Sequence, residues 1–193
     1  MKICVFGAAS NEIDNSYINS VESLGKELAK RGHSLVFGAG GNGLMGAAAR
    51  GVRRCGGEII GVIPKFFREE KIEAIYDNCD ELIFTDTMAE RKTTMENLAD
   101  AFITVPGGVG TFEEFFEVFT LKQLARHTKP IVIFDIKGYY KGMKDFLKVA
   151  VAEGFVRQEC ESLYDYSDNI DEVLSFIEDD NREVKAVHDL KNG

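Results

Sequence analysis

Tryptophan is absent from this chain, and in 193 residues proline and histidine each occur only three times. The histidines (His33, His127, His188) stand far apart, and the four cysteines (Cys4, Cys55, Cys79, Cys160) form no CxxC pair. Metal centres need clustered ligands at characteristic spacing, so no metal site is expected. Scattered cysteines read as reduced thiols, which points to the cytoplasm. No apolar run reaches the length of a membrane span, and no leader pattern precedes the first β-prone run, Lys2–Phe6. Neither membrane insertion nor secretion is expected. Dense Lys/Arg runs are also missing, and the formal net charge is −9. A polymeric nucleic-acid partner needs clustered cations and is therefore not expected, but a small anion in a local pocket remains compatible. No glycine turn ends in GK[ST], so a P-loop ATPase is not expected.

What is present is a patterned globular chain. Apolar residues make up 45% of it, enough for a proper core. Short β-prone runs at Lys2–Phe6, Ser34–Phe37, Glu58–Ile63, Glu81–Phe84, Phe102–Val105 and Ile131–Phe134 alternate with helical patterns. Those patterns cover Ser16–Arg31, Leu44–Cys55, Met88–Ala99, Thr111–His127, Tyr139–Glu153 and Ile170–Ile177. Ser162–Tyr166 reads as a short seventh, edge strand, and Lys65–Asn78 as irregular with one helical turn. Alternation of this kind predicts an α/β fold: a Rossmann-like, doubly wound parallel sheet of six to seven strands with helices on both faces. No repeat or linker divides it. One domain is expected over residues 1–178, followed by a charged tail at 179–193.

The most informative stretch is Ala101–His127, AFITVPGGVGTFEEFFEVFTLKQLARH. A β-prone run stops at Pro106, and Gly107, Gly108 and Gly110 follow before a long helix. Glycines let backbone N–H groups converge, and a helix N-terminus adds partial positive charge. An anion is therefore expected over Gly107, Gly108, Val109, Gly110 and Thr111. Thr111 and Glu114 also fit a capping box, with Thr111 as N-cap and Glu114 three residues on. Helical spacing puts Glu114 within the apolar arc of Phe112, Phe115, Val118, Phe119 and Leu121, which favours chemistry. Both readings of Glu114 stand at this level.

Two further motifs bear on function. Thr87 and Glu90 form another capping box, and Met88, Arg91, Met95 and Leu98 share a stripe. An arginine on an apolar stripe needs an anion, either a structural carboxylate or a ligand. Gly38-x-Gly40-x-x-Gly43 matches the dinucleotide fingerprint as a string, but it follows the second strand instead of the first. It reads as a tight turn or, through Gly40 and Gly41, as a second phosphate-facing loop. Glu69 and Glu70 read as surface charges by composition.

Taken in order, GAGGNGLMG (Gly38–Gly46), GVIP (Gly61–Pro64), MAERK (Met88–Lys92) and PGGVGTFEE (Pro106–Glu114) resemble the Lonely Guy (LOG) family. Its members are cytokinin riboside 5′-monophosphate phosphoribohydrolases, many of which have carried a lysine decarboxylase label. The resemblance runs from Cys4 to about Phe155. It implies a homodimeric Rossmann-like enzyme that needs no cofactor and splits a nucleoside 5′-monophosphate such as AMP or N6-isopentenyl-AMP into free base and ribose 5-phosphate. On the family pattern the catalytic pair falls on Arg91 and Glu114. The substrate site takes in Lys92, the glycine turn with Val109 and Thr111, and Glu113. The family's glutamate after GVIP falls on Glu69 or Glu70, and Phe66, Phe67 and Met88 are candidate walls for the base. Arg91 either anchors the phosphate or stabilises charge on the leaving base. The decarboxylase label finds no cofactor lysine site here. The alternative is a non-catalytic nucleotide- or molybdenum-cofactor-binding protein on the same fold. A further reading is an interaction protein that keeps the turn as a packing device.

Overall fold

The computed structural model describes residues 1–179. It contains seven strands: β1 (Lys2–Phe6), β2 (Ser34–Phe37), β3 (Ile59–Pro64), β4 (Glu81–Thr85), β5 (Ala101–Thr104), β6 (Ile131–Phe134) and β7 (Asp165–Ser167). They form one sheet in the order β4-β3-β2-β1-β5-β6-β7. Every adjacent pair is parallel. Parallel strands covered on both faces become continuously apolar, and KICVF, AFIT and IVIF are nearly or wholly buried.

Among the described residues there are seven α-helices, six between strands and one after β7: α1 (Asn15–Lys30), α2 (Gly43–Arg54), α3 (Lys65–Glu69), α4 (Met88–Leu98), α5 (Val109–Gln123), α6 (Lys141–Ala152) and α7 (Ile170–Glu178). One face of the sheet is packed by α1, α2 and α7 through residues such as Val21, Leu24, Leu44, Val52, Val173 and Leu174. The other is packed by α4 and α5 through Met95, Phe115, Val118 and Phe119. The expected doubly wound α/β fold is thus the observed one. β1 leads to a helix on one face and its neighbour β5 to a helix on the other, so the topological switch point lies at their carboxyl ends. In open α/β sheets that crevice is where ligands bind.

Three local expectations need correction. α5 starts at Val109 with Gly108 as N-cap, so Thr111 lies inside the first turn and makes no capping bond. Glycine at 110 leaves the turn free to be helical already, which moves the boundary two residues upstream. The same helix stops at Gln123 instead of His127, with Ala125 in the left-handed region at φ 56°. Ser162 and Leu163 belong to a 3₁₀ turn over Gln158–Leu163, and the edge strand is displaced to Asp165–Ser167. The Thr87–Glu90 box does form on one side, Glu90 N donating to Thr87 Oγ1 at 3.1 Å. The Glu90 carboxylate accepts from Asp86 N at 2.8 Å. Almost all of the expected charged tail lies outside the described residues.

Candidate active site

At the switch point the loop after β1 and the first turn of α5 border an open cleft of about 390 Å³. Gly7, Ala8 and Ser10 come from the first, and Gly108, Gly110, Thr111, Glu113 and Glu114 from the second. Met45, Phe67, Glu73, Met88 and Arg91 complete it. Gly108 has no side chain to cap the helix, so the first-turn amides of α5 face an end of the cleft without intrahelical partners. That end carries the positive pole of a helix of 15 residues.

Arg91 and Glu114 meet beside it. Both are buried, and Arg91 Nη1 lies 3.8 Å from Glu114 Oε1. Two backbone carbonyls accept from the other guanidinium nitrogens. Nε donates to Val62 O at 3.3 Å and Nη2 to Gly38 O at 3.5 Å. The ring of Phe67 lies 5.9 Å from Arg91 Cζ. A Cβ at Gly38 would collide with Arg91 Nη2. Gly38 is therefore explained by the arginine passing over it, and not by a dinucleotide pyrophosphate.

Burial pushes the Glu114 carboxyl up to about 7, against the pull of Arg91. At neutral pH it is poised between protonation states. The capping role for Glu114 is ruled out by the helix start at Val109, whereas its inward direction is as expected.

The remaining expected residues divide. Gly108, Gly110, Thr111, Glu113 and Met88 line the cleft. Gly107 sits behind it, in a second cavity of about 290 Å³ that shares Ala8, Ser10 and Gly108 with the first. Val109 points outward and is 83% exposed. Lys92 lies outside the cleft lining, paired with Glu113 and, at 2.7 Å, with Glu117. Gly40 and Gly41 do not face the cleft. They carry the segment after α3, through the Gly40–Ile75 bridge and Gly41 N donating to Ala74 O at 2.7 Å.

Glu69 and Glu70 are exposed and also outside the cleft lining. The acid that enters from this segment is Glu73, which no motif in the sequence marks. Tyr76 N donates to Ala39 O at 2.8 Å, and Tyr76 stacks edge-on against Phe37 at 6.1 Å. This pins the strap so that Glu73 lines the cleft within electrostatic reach of Arg91. Glu73 Oε1 is buried with no hydrogen-bond partner, and burial raises its carboxyl. Ile75 and Tyr76, an apolar pair in a polar segment, were the available signal that this strap docks.

Comparison with known proteins fits this geometry. Residues 45–177 match the model of a family described as "Possible lysine decarboxylase". The cytokinin riboside 5′-monophosphate phosphoribohydrolase LOG2 of Arabidopsis thaliana is 36% identical over 178 residues, 92% of this chain and 83% of that protein. The cytokinin riboside 5′-monophosphate phosphoribohydrolase LOG of Oryza sativa subsp. japonica is 39% identical over 158 residues, 82% of this chain and 64% of that protein. The chain belongs to the LOG family. Among solved structures, the molybdenum cofactor carrier protein of Chlamydomonas reinhardtii superposes with a TM-score of 0.70 at 22% identity, covering 92% of this chain and 95% of that one. The molybdenum cofactor binding protein of Rippkaea orientalis gives 0.70 at 18%, covering 92% and 94%. At those identities the likeness concerns the fold alone. Within the LOG family assignment, Arg91 and Glu114 are the residues its motifs bring together, and this chain's geometry places them 3.8 Å apart. Among the described residues no group of three or more His, Cys, Asp or Glu is placed to hold a metal ion, and no helix is long and apolar enough to cross a membrane.

Proposed function

We propose that this protein hydrolyses the N-glycosidic bond of adenine-type nucleoside 5′-monophosphates, such as AMP or N6-isopentenyl-AMP, to free base and ribose 5-phosphate. The observation that carries this reading is the buried Arg91–Glu114 pair beside a glycine-capped helix N-terminus in one cleft. The names of the curated relatives support the same reaction.

In this mechanism the first-turn amides at Gly108, Gly110 and Thr111 hold the 5′-phosphate. Cleavage of the bond from C1′ to the base builds an oxocarbenium-like centre, and the Glu114 carboxylate stabilises it. Glu114 takes a proton from water as the water oxygen bonds to C1′, which a group with a carboxyl pushed up to about 7 does well near neutral pH. The electron pair of the broken bond goes to the base nitrogen, which takes a proton from solvent water, and the proton gained by Glu114 returns to solvent, so that one water is consumed overall. Glu73, with a buried oxygen lacking a partner, accepts from a ribose hydroxyl. Lys92 acts from behind by holding Glu113 and Glu117. Arg91 serves the phosphate or the leaving base: a raised KM in Arg91→Ala assigns the former, a lowered kcat the latter.

Chromatographic assay of free base from AMP and from N6-isopentenyl-AMP tests the proposal. Release abolished in Glu114→Gln supports it and ranks the two bases. Intact nucleotide bound without any release would replace it with a binding role. We place the protein in the cytoplasm as a homodimer, with Phe84 and Met88, each 37% exposed, as surface a second copy would cover. Sedimentation at micromolar concentration reads that state.

A further inference from the structure

The glycine turn is gripped from behind by two consecutive tyrosines. Tyr139 Oη donates to Gly107 O at 2.7 Å, and Tyr140 Oη donates to Val105 O at 2.8 Å. The backbone before them is unusual: Lys137 and Gly138 both take left-handed angles, φ 58° and 70°. That bend delivers the two rings side by side, edge to face at 5.0 Å. Tyr139 is also braced by Tyr17, at 6.3 Å, and it lines the second cavity but not the Arg91–Glu114 cleft.

The two hydroxyls look equivalent but act on different peptide units. In a trans peptide the C=O and the following N–H point in opposite directions. Fixing Gly107 O toward Tyr139 therefore fixes the Gly108 N–H away from Tyr139. Without that bond this unit rotates easily, since both of its residues are glycine. Rotation would present a carbonyl oxygen where an anion is to be bound. Thr111 closes the other side, because a Cβ on Gly107 would collide with its Oγ1. The unit held by Tyr140 joins Val105 to Pro106, which has no N–H to aim.

We propose that Tyr139 is a positioning residue for phosphate: its hydroxyl locks the Gly107–Gly108 peptide so that the Gly108 N–H points at the 5′-phosphate, while Tyr140 supports the fold only. This rests on the phosphoribohydrolase reading above. Tyr139 touches no substrate, so its effect belongs in affinity and not in the bond-breaking step.

Calorimetric binding of ribose 5-phosphate to the full chain, alongside steady-state base release, tests it with Tyr139→Phe and Tyr140→Phe. Both changes keep the ring and remove one hydroxyl. Tyr139→Phe is expected to weaken ribose 5-phosphate binding about tenfold, the loss of one aimed charge-assisted donor, with kcat within about twofold. Tyr140→Phe is expected to lower the melting temperature and bind as the parent does. Equal affinity of Tyr139→Phe and parent overturns the proposal. So does equal weakening in both variants, or a fall in kcat at unchanged affinity. A parent chain that binds no ribose 5-phosphate removes the functional reading itself and this inference with it, a result distinct from the others.

Discussion

Burying a carboxylate beside an arginine sets two opposing pulls on its proton affinity, and at Glu114 burial wins. Stability should record this. An acid ionising at about 7 in the fold but near 4.5 when unfolded favours the fold fully below about pH 4.5. That contribution is lost as the pH rises to about 7, because the folded state holds the proton the unfolded state has released. Glu114→Gln cannot titrate, so urea unfolding at several pH values should show its stability rising relative to the parent between pH 4.5 and 7. The gain should be up to about 3 kcal/mol. Parallel pH profiles for parent and variant would refute a perturbed Glu114. The same group should give kcat/KM an ascending limb near pH 7 if it acts as base. Glu114's inward direction was legible in the sequence from helical spacing alone. Its elevated proton affinity was not, since that depends on how far Arg91 and the sheet exclude water.

At the scale of elements, α4 and α5 are tied together by Lys92, which reaches Glu113 and Glu117 across the gap. Its charge also helps hold the Glu114 carboxyl down. Lys92→Met should therefore shift the ascending limb of kcat/KM to higher pH, read from activity between pH 5 and 9; an unchanged limb would detach Lys92 from the site. On the other face, α1 and α2 approach so closely that a Cβ at Gly25 would collide with Ala48 O, and one at Gly51 with Glu22 O. Gly25→Ala should cost about 1–3 kcal/mol in denaturant unfolding, although alanine is the better helix former. A neutral result would mean the two helices can separate freely. The capping boxes illustrate how elements are read. Thr87 caps α4 as its sequence says. Thr111 fits the same string yet sits inside α5, because Gly110 before it is already helical and a threonine packed on Gly107 is not free to cap.

For the whole molecule, one crevice at the β1–β5 switch point gathers groups from the ends of five strands. They are Ala8 after β1, Gly38 after β2, Glu73 after β3, Arg91 after β4 and the turn after β5. Ligand in that crevice bridges otherwise separate loops. Saturating ribose 5-phosphate should therefore stabilise the fold by about 2.7 kcal/mol at a hundredfold excess over Kd. In a chain of this size that is a rise of roughly 5–10 °C in Tm by thermal melt. The net charge of −9 does not oppose this, since in the proposed binding mode the phosphate meets backbone N–H groups of the turn, not the average surface.

The sequence by itself determined the alternation of elements, the parallel sheet and the glycine turn, and it carried the motifs through which the resemblance to the LOG family pairs Arg91 with Glu114. Each of these is encoded locally, in apolar periodicity, in turn residues and in short motifs. Only the tertiary structure decided which other groups join them. Glu73 lines the cleft where Glu69 and Glu70 do not, because a strap pinned by Ile75 and Tyr76 turns that one carboxylate inward. Gly40 and Gly41 became the seat of the strap, and Gly38 the clearance for a guanidinium. Tyr139 reached the turn from 32 residues away. Such meetings depend on how distant segments pack, and the free energies that choose among them come from burial and close fit, which no local spacing carries.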